Sequence, residues 1–100
     1  MMDAGAAQPM GTGLVRSVTI ANRLGLHARA AAKFVKLASQ FAAEIVVAKG
    51  GVEVSGRSIM GLMMLAASPG TMIEIRATGG DAEAAVLALV TLVEDRFDEE

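Results

Sequence analysis

Residues 71–78 alternate with a period of two: Ile73, Ile75 and Ala77 fall on one face of an extended strand, Glu74 and Arg76 on the other. A strand patterned this way has one dry face and one wet face, so it belongs to a sheet covered on a single side. Parallel sheets buried on both faces, whose strands are apolar throughout, are thereby excluded. The cover must come from amphipathic helices, and the chain supplies them. From Ala28 the period becomes helical, with Ala31, Phe34, Leu37, Ala38 and Phe41 on one side and Lys33, Lys36 and Gln40 on another, which predicts a helix over residues 28–40.

The remaining elements fit the same plan. Leu14, Val18 and Ile20 share one face of a first strand that Arg16 interrupts. Residues 44–49 and 52–55 are β-branched runs joined by Gly50 and Gly51, a pair suited to the positive φ angles of a tight hairpin. Ser58 is placed to cap a short helix through Leu65, which Pro69 and Gly70 bring to an end. Asp81 caps a last helix in which Val86, Leu89, Val90, Val93 and Phe97 recur at helical spacing. The order β-α-β-β-α-β-α predicts an α+β, two-layer open-faced sandwich: a four-stranded antiparallel sheet with three helices on one face. Residues 1–13, rich in Gly and Ala and without a hydrophobic period, read as a flexible tail before a single domain over residues 14–100.

Composition narrows the chemistry. A chain of 100 residues holds one core, not two. It has no Cys and one His, which removes disulfides, thiolate metal sites, Cys nucleophiles and His-rich metal sites; no cofactor is expected. The longest nearly uninterrupted apolar stretch, residues 59–67, falls far short of the roughly 20 residues a membrane-spanning helix needs. The first residues lack the basic start and apolar run of a secretory signal, so a cytoplasmic monomer is expected. The net charge of −2 hides an asymmetry. Arg16, Arg23, Arg29, Lys33 and Lys36 lie in a stretch, residues 4–43, with no Asp or Glu, whereas residues 81–100 hold seven acids against Arg96 alone.

His27 stands between Gly25-Leu26 and the first turn of the first helix, where free backbone N–H groups and the helix dipole favour an anion. A carboxylate is the usual occupant of such a turn, yet Arg29 and then Lys33 follow. The site is positive and is expected to have no internal partner. An imidazole beside helix-end donors and a guanidinium meets the needs of a covalent phosphohistidine: one ring nitrogen attacks phosphorus, and the donors hold the resulting dianion. Arg29 would supply a forked donor for phosphate oxygens. The plain alternative is a His that merely caps a helix, with Arg29, Lys33 and Lys36 as solvated charges.

The run Gly25-Leu26-His27-Ala28-Arg29-Ala30-Ala31 resembles the active-site motif of the HPr family, the histidine-containing phosphocarriers of the bacterial phosphotransferase system. Ser58-Ile59-Met60-Gly61-Leu62-Met63 resembles that family's regulatory-serine segment, and the likeness runs over about residues 15–96. The resemblance implies that His27 accepts a phosphoryl group at Nδ1 from phospho-enzyme I and passes it to an EIIA-type protein, with Arg29 supporting the charge. It implies a stoichiometric carrier and not a turnover enzyme, serving either sugar uptake or the nitrogen-regulatory branch. It also implies that Ser58, whatever its role as a cap, is a phosphosite for an HPr kinase/phosphorylase. The chain departs from the family at Ala30, where Pro is usual; Pro pre-sets φ at a helix start, so Ala30 loosens the first turn without removing a reacting group.

The short second helix is apolar on more than one side. With Leu62 and Leu65 facing the sheet, Ile59, Met60 and Met63 are left for the surface, and flexible thioethers suit a surface that fits several partners in turn. This patch, rimmed by Lys33 and Lys36, is the expected docking face for acidic partners. Nucleic acid is not an expected partner, because the only aromatics are Phe34, Phe41 and Phe97, all read as helical and none on an open strand. A rival within the same fold is a regulator that acts by docking alone, its phosphorylation state being the signal.

Overall fold

The computed structural model describes residues 13–99. The expected flexible tail, residues 1–13, therefore lies outside the described residues except for Gly13, which opens the first strand. The elements follow in the order β1 (Gly13–Thr19), α1 (Ala28–Ala38), β2 (Glu44–Lys49), β3 (Val52–Ser55), α2 (Ile59–Met64), β4 (Met72–Thr78) and α3 (Ala82–Glu94), closed by a short turn of 3-10 type at Arg96–Asp98. The strands form one antiparallel sheet in the spatial order β1-β4-β2-β3. This is the open-faced α+β sandwich read from the alternation in β4.

Register puts the apolar residues in rows across the covered face. Arg16 pairs with Ile75 and Ile75 with Val47, which in turn faces Val54; Leu14 pairs with Ala77 and Ala77 with Ile45. Arg16 is exposed although it shares this face, because β1 is an edge strand and a long side chain escapes over the edge. Against these rows pack Phe34, Leu62, Leu65, Val86, Leu89 and Val93, all buried. Helix α3 lies on β1 and β4, and α1 bridges α2 and α3. On the open face Arg76 reaches Glu53 at 2.6 Å and Glu74 at 3.3 Å, a half-exposed cross-strand group worth little to stability.

Two helix ends differ from the sequence reading. Helix α1 stops at Ala38 and not Gln40, since Gln40 and Phe41 turn back with amide bonds to the Leu37 and Ala38 carbonyls at 3.0 and 3.1 Å. Phe41 is therefore in a turn and not on a helix. Asp81 precedes α3, but its carboxylate makes no capping bond there. It accepts instead from the amides of Ala42 and Ala43 at 2.9 and 2.8 Å and pins the loop between α1 and β2.

The larger departure concerns Phe97, which periodicity places on α3. The helix ends at Glu94, and Arg96, Phe97 and Asp98 take φ values of 58, 55 and 63°. Left-handed backbone costs about 1 kcal/mol or more at each such residue, so packing must impose it. It does: the turn swings the Phe97 ring inward, where it is fully buried. Reversing the chain there also carries residue 99 back toward α1.

Candidate functional site

The site is built on the loop between β1 and α1. Gly25 has φ +68°, and a side chain there would put a Cβ 2.5 Å from the Ala67 carbonyl oxygen, so only glycine allows the loop to lie against the segment after α2. Leu26 seals the approach, its amide donating to Ala67 at 2.9 Å and its side chain buried. Asn22 is the one fully buried polar residue among the described residues; its amide Nδ2 donates to the Gly25 carbonyl at 2.8 Å. His27 is then left at the extended N-cap of α1, with its Nδ1 accepting from the Arg29 amide at 3.2 Å.

The other ring nitrogen has a partner that the sequence does not reveal. Nε2 of His27 lies 2.6 Å from Oε2 of Glu99, and Oε1 of the same carboxylate accepts from Asn22 Nδ2 at 3.1 Å. The expectation of a basic site without an acidic partner is thus overturned. Folding brings the acidic end of the chain onto the carboxylate-free stretch, and the two charge domains of the sequence meet at His27. Burial pushes the Glu99 carboxyl up, but the hydrogen bonds from Asn22 and His27, together with the Lys33 charge, outweigh it and hold the group below its ordinary value.

These contacts decide the proton's place on the ring. An ionised carboxylate only accepts, so Nε2 carries the hydrogen; a backbone N–H only donates, so Nδ1 carries the lone pair. Nδ1 points at the first turn of α1, whose N–H groups have no carbonyl one turn back. In front of it is an open depression of about 620 Å³ lined by Arg23, Leu24, His27, Ala28, Arg29 and Glu99. Arg29 is exposed, and its guanidinium has no hydrogen-bonded partner among the described residues. The arrangement offers a nucleophilic nitrogen, backbone donors and two guanidinium-bearing side chains around a space that a tetrahedral anion fits.

The other predicted residues fall into two groups. Ser58 is the N-cap of α2, its Oγ accepting from the Gly61 amide at 2.9 Å. Ile59, Met60 and Met63 are exposed, as is Met64 at 77%, while Leu62 and Leu65 are buried. Leu24, 69% exposed, stands on the loop that bears His27 and lines the depression beside it. The lysines do not border it. Lys33 and Lys36 line a separate groove with Leu37, Leu92 and Asp98 between α1 and α3. Lys33 is half-buried, and its Nζ donates to the Phe97 carbonyl at 2.7 Å, so its charge is spent on the C-terminal turn.

Asn22, Arg23 and Glu99 are the residues that sequence reasoning missed. Asn22 looks like any loop Asn, and only its burial distinguishes it. Glu99 is one of seven acids in residues 81–100, with nothing local to single it out.

The family model for the PTS HPr component phosphorylation site matches residues 14–95. The chain belongs to the HPr family. Its relatives include the phosphocarrier protein HPr of Neisseria meningitidis, 51% identical over 86 residues, which cover 86% of this chain and 97% of that protein. The phosphocarrier protein NPr of Shewanella violacea is 49% identical over 88 residues, covering 88% of this chain and 97% of its own length. Among solved structures, HPr-C-His from Thermoanaerobacter tengcongensis superposes with a TM-score of 0.84 at 45% identity, covering 87% of this chain and 98% of that one. The HPr-family fold and the phosphotransferase-system carrier role follow from these matches. No helix among the described residues is long and apolar enough to cross a membrane.

Proposed function

We propose that this HPr-family chain accepts a phosphoryl group on Nδ1 of His27 from phospho-enzyme I and hands it to a histidine of an EIIA-type protein. The observation that carries this reading is the orientation of His27, with Nδ1 directed at the Arg29 amide in the first turn of α1 and Nε2 directed at the Glu99 carboxylate. On transfer, the Nδ1 lone pair forms the N–P bond as the donor's bond to phosphorus breaks, and the Arg29 amide turns from the ring nitrogen to a phosphate oxygen. The Arg29 guanidinium neutralises the dianion. The chain holds the group and returns unchanged after giving it up, acting as a monomeric carrier and not as a turnover catalyst.

Ile59, Met60 and Met63 form the centre of the docking face, since they stand exposed on the helix next to the His27 loop. Ser58 is the regulatory position for an HPr kinase/phosphorylase. Its hydroxyl caps α2, and a phosphate there would keep the favourable interaction with the helix end while placing two negative charges on the docking face.

The test is the intact mass of the wild type and of His27→Ala after incubation with phosphoenolpyruvate and enzyme I, followed by brief acid treatment. The expected result is one acid-labile phosphate on the wild type and none on the variant. A wild type that takes up no phosphate, or a variant labelled equally, sinks the reading in favour of a regulator that acts by docking alone.

A further inference from the structure

Resting on the reading of His27 as the acceptor, we propose that Glu99, carried by Asn22, is a positioning residue for both halves of phosphoryl transfer. A neutral imidazole has two tautomers, and only the one protonated at Nε2 leaves Nδ1 free to attack phosphorus. The Arg29 amide, 3.2 Å from Nδ1, favours that tautomer weakly from an exposed position. The Glu99 carboxylate, 2.6 Å from Nε2, favours it strongly, because the other tautomer would set a bare nitrogen against a bare carboxylate. The same logic orients the base in hydrolytic triads, where an acid fixes the imidazole that reacts through its opposite nitrogen.

The carboxylate is itself held from both sides. Asn22 Nδ2 binds Oε1 and the Gly25 carbonyl at once, so the loop that presents His27 also orients the acid across a separation of 77 residues in sequence. From the other side the buried Phe97 ring and the Lys33 ammonium on the Phe97 carbonyl fix the turn that delivers Glu99. A partly exposed glutamate would not keep one rotamer without such anchors.

The charge balance gives Glu99 a second part. When the Nδ1 lone pair forms the N–P bond, the electron pair of the donor's bond leaves with the donor, and no proton moves. The ring keeps its Nε2 hydrogen and gains one positive charge, which the adjacent carboxylate neutralises. In the onward step the N–P electron pair returns to Nδ1, and the leaving group is a neutral imidazole. Had the Nε2 proton been lost, the leaving group would be an imidazolate and the phosphoryl group would stay. Glu99 keeps that proton on the ring and so keeps the bound phosphoryl group transferable.

The decisive experiment compares wild type with Glu99→Ala in the full chain, by ¹⁵N NMR of the His27 ring and by the initial rate of labelling with phosphoenolpyruvate and enzyme I. Glu99 is partly exposed and outside the core, so the variant should fold, and its urea midpoint is measured alongside. The wild-type ring is expected as a single Nε2–H tautomer, and the variant as a mixture with labelling slowed roughly tenfold, the worth of one charge-assisted hydrogen bond. A Glu99→Ala ring that keeps the pure tautomer overturns the proposal whatever its rate, and so does an unchanged rate. A wild type that takes no label would instead overturn the carrier reading beneath it.

Discussion

Nζ of Lys33 donates to the carbonyl oxygen of Phe97 at 2.7 Å, joining the middle of α1 to the reversed turn that ends the chain. The bond is local in space and remote in sequence, and Asp98 and Glu99 hang from it. Replacing Lys33 by Met keeps the aliphatic stem and removes the donor. The expected result is a modest loss of about 1 kcal/mol, with amide exchange at Asp98 and Glu99 accelerated while β4 is unaffected. Unchanged exchange at those two amides would show that the turn does not depend on the lysine.

Phe97 is the hydrophobic half of the same anchor. Its ring is fully buried beside α3, and truncation to Ala should cost about 3–5 kcal/mol. Because left-handed backbone at Arg96, Phe97 and Asp98 persists only under packing, the turn should also relax. Urea denaturation gives the first quantity, and loss of the His27–Glu99 contact in ¹⁵N spectra gives the second. A variant that loses stability but keeps the contact would separate the ring from the placement of Glu99.

The sequence and the fold agree wherever a local pattern has one physical solution. The period of two in β4, the Gly50-Gly51 hairpin with φ values of 56 and 87°, and the Ser58 cap each follow from a few adjacent residues. His27 and Arg29 were legible for the same reason, since a helix start without acids is a local anomaly. What stayed hidden was decided by tertiary packing. Phe97 continues the helical period of α3 but is taken out of it by burial, Asp81 has a better use for its carboxylate than its own helix, and Lys33 turns to α3 and the C-terminal turn instead of to α2. Glu99 could be paired with His27 only after the chain reversal between them was known.

Ala66 follows α2 with φ 51°, at the position where glycine commonly closes a helix, and it is exposed. Its amide bonds to Met63 at 3.0 Å, and Lys49 Nζ satisfies the Leu65 carbonyl at 3.0 Å. Ala66→Gly therefore removes a Cβ penalty without disturbing a contact, against a smaller entropic cost in the unfolded chain. A gain of about 0.5–1 kcal/mol is expected from thermal or urea unfolding. A destabilised variant would mean that this turn is already relaxed.

Asp81 holds the loop between α1 and β2 through two backbone amides, at 2.9 and 2.8 Å. Asn in its place retains one acceptor and sets an amide donor against a backbone donor. Bonds to a charged acceptor are the stronger kind, and a loss of about 2 kcal/mol is expected, with faster amide exchange at Ala42 and Ala43. Equal stability of the two proteins would return Asp81 to the role of an ordinary residue before a helix.

The Glu99 carboxyl has its folded-state value held below the ordinary 4.5 by Asn22, His27 and Lys33, despite the opposing effect of burial. A group depressed in this way adds stability above its unfolded value, and that contribution is lost as pH falls through the folded one. The groups facing it are His27, Asn22 and Lys33, with Arg23 and Arg29 around the same depression. The advantage of wild type over Glu99→Gln is therefore expected in full at neutral pH. It should then shrink below about pH 4.5 as the carboxylate gains its proton and Glu and Gln become alike in charge. Urea unfolding of both proteins between pH 7 and pH 3 measures the gap. A gap that stays constant through the acid limb would mean that the ionised carboxylate contributes nothing to holding the C-terminal turn on His27.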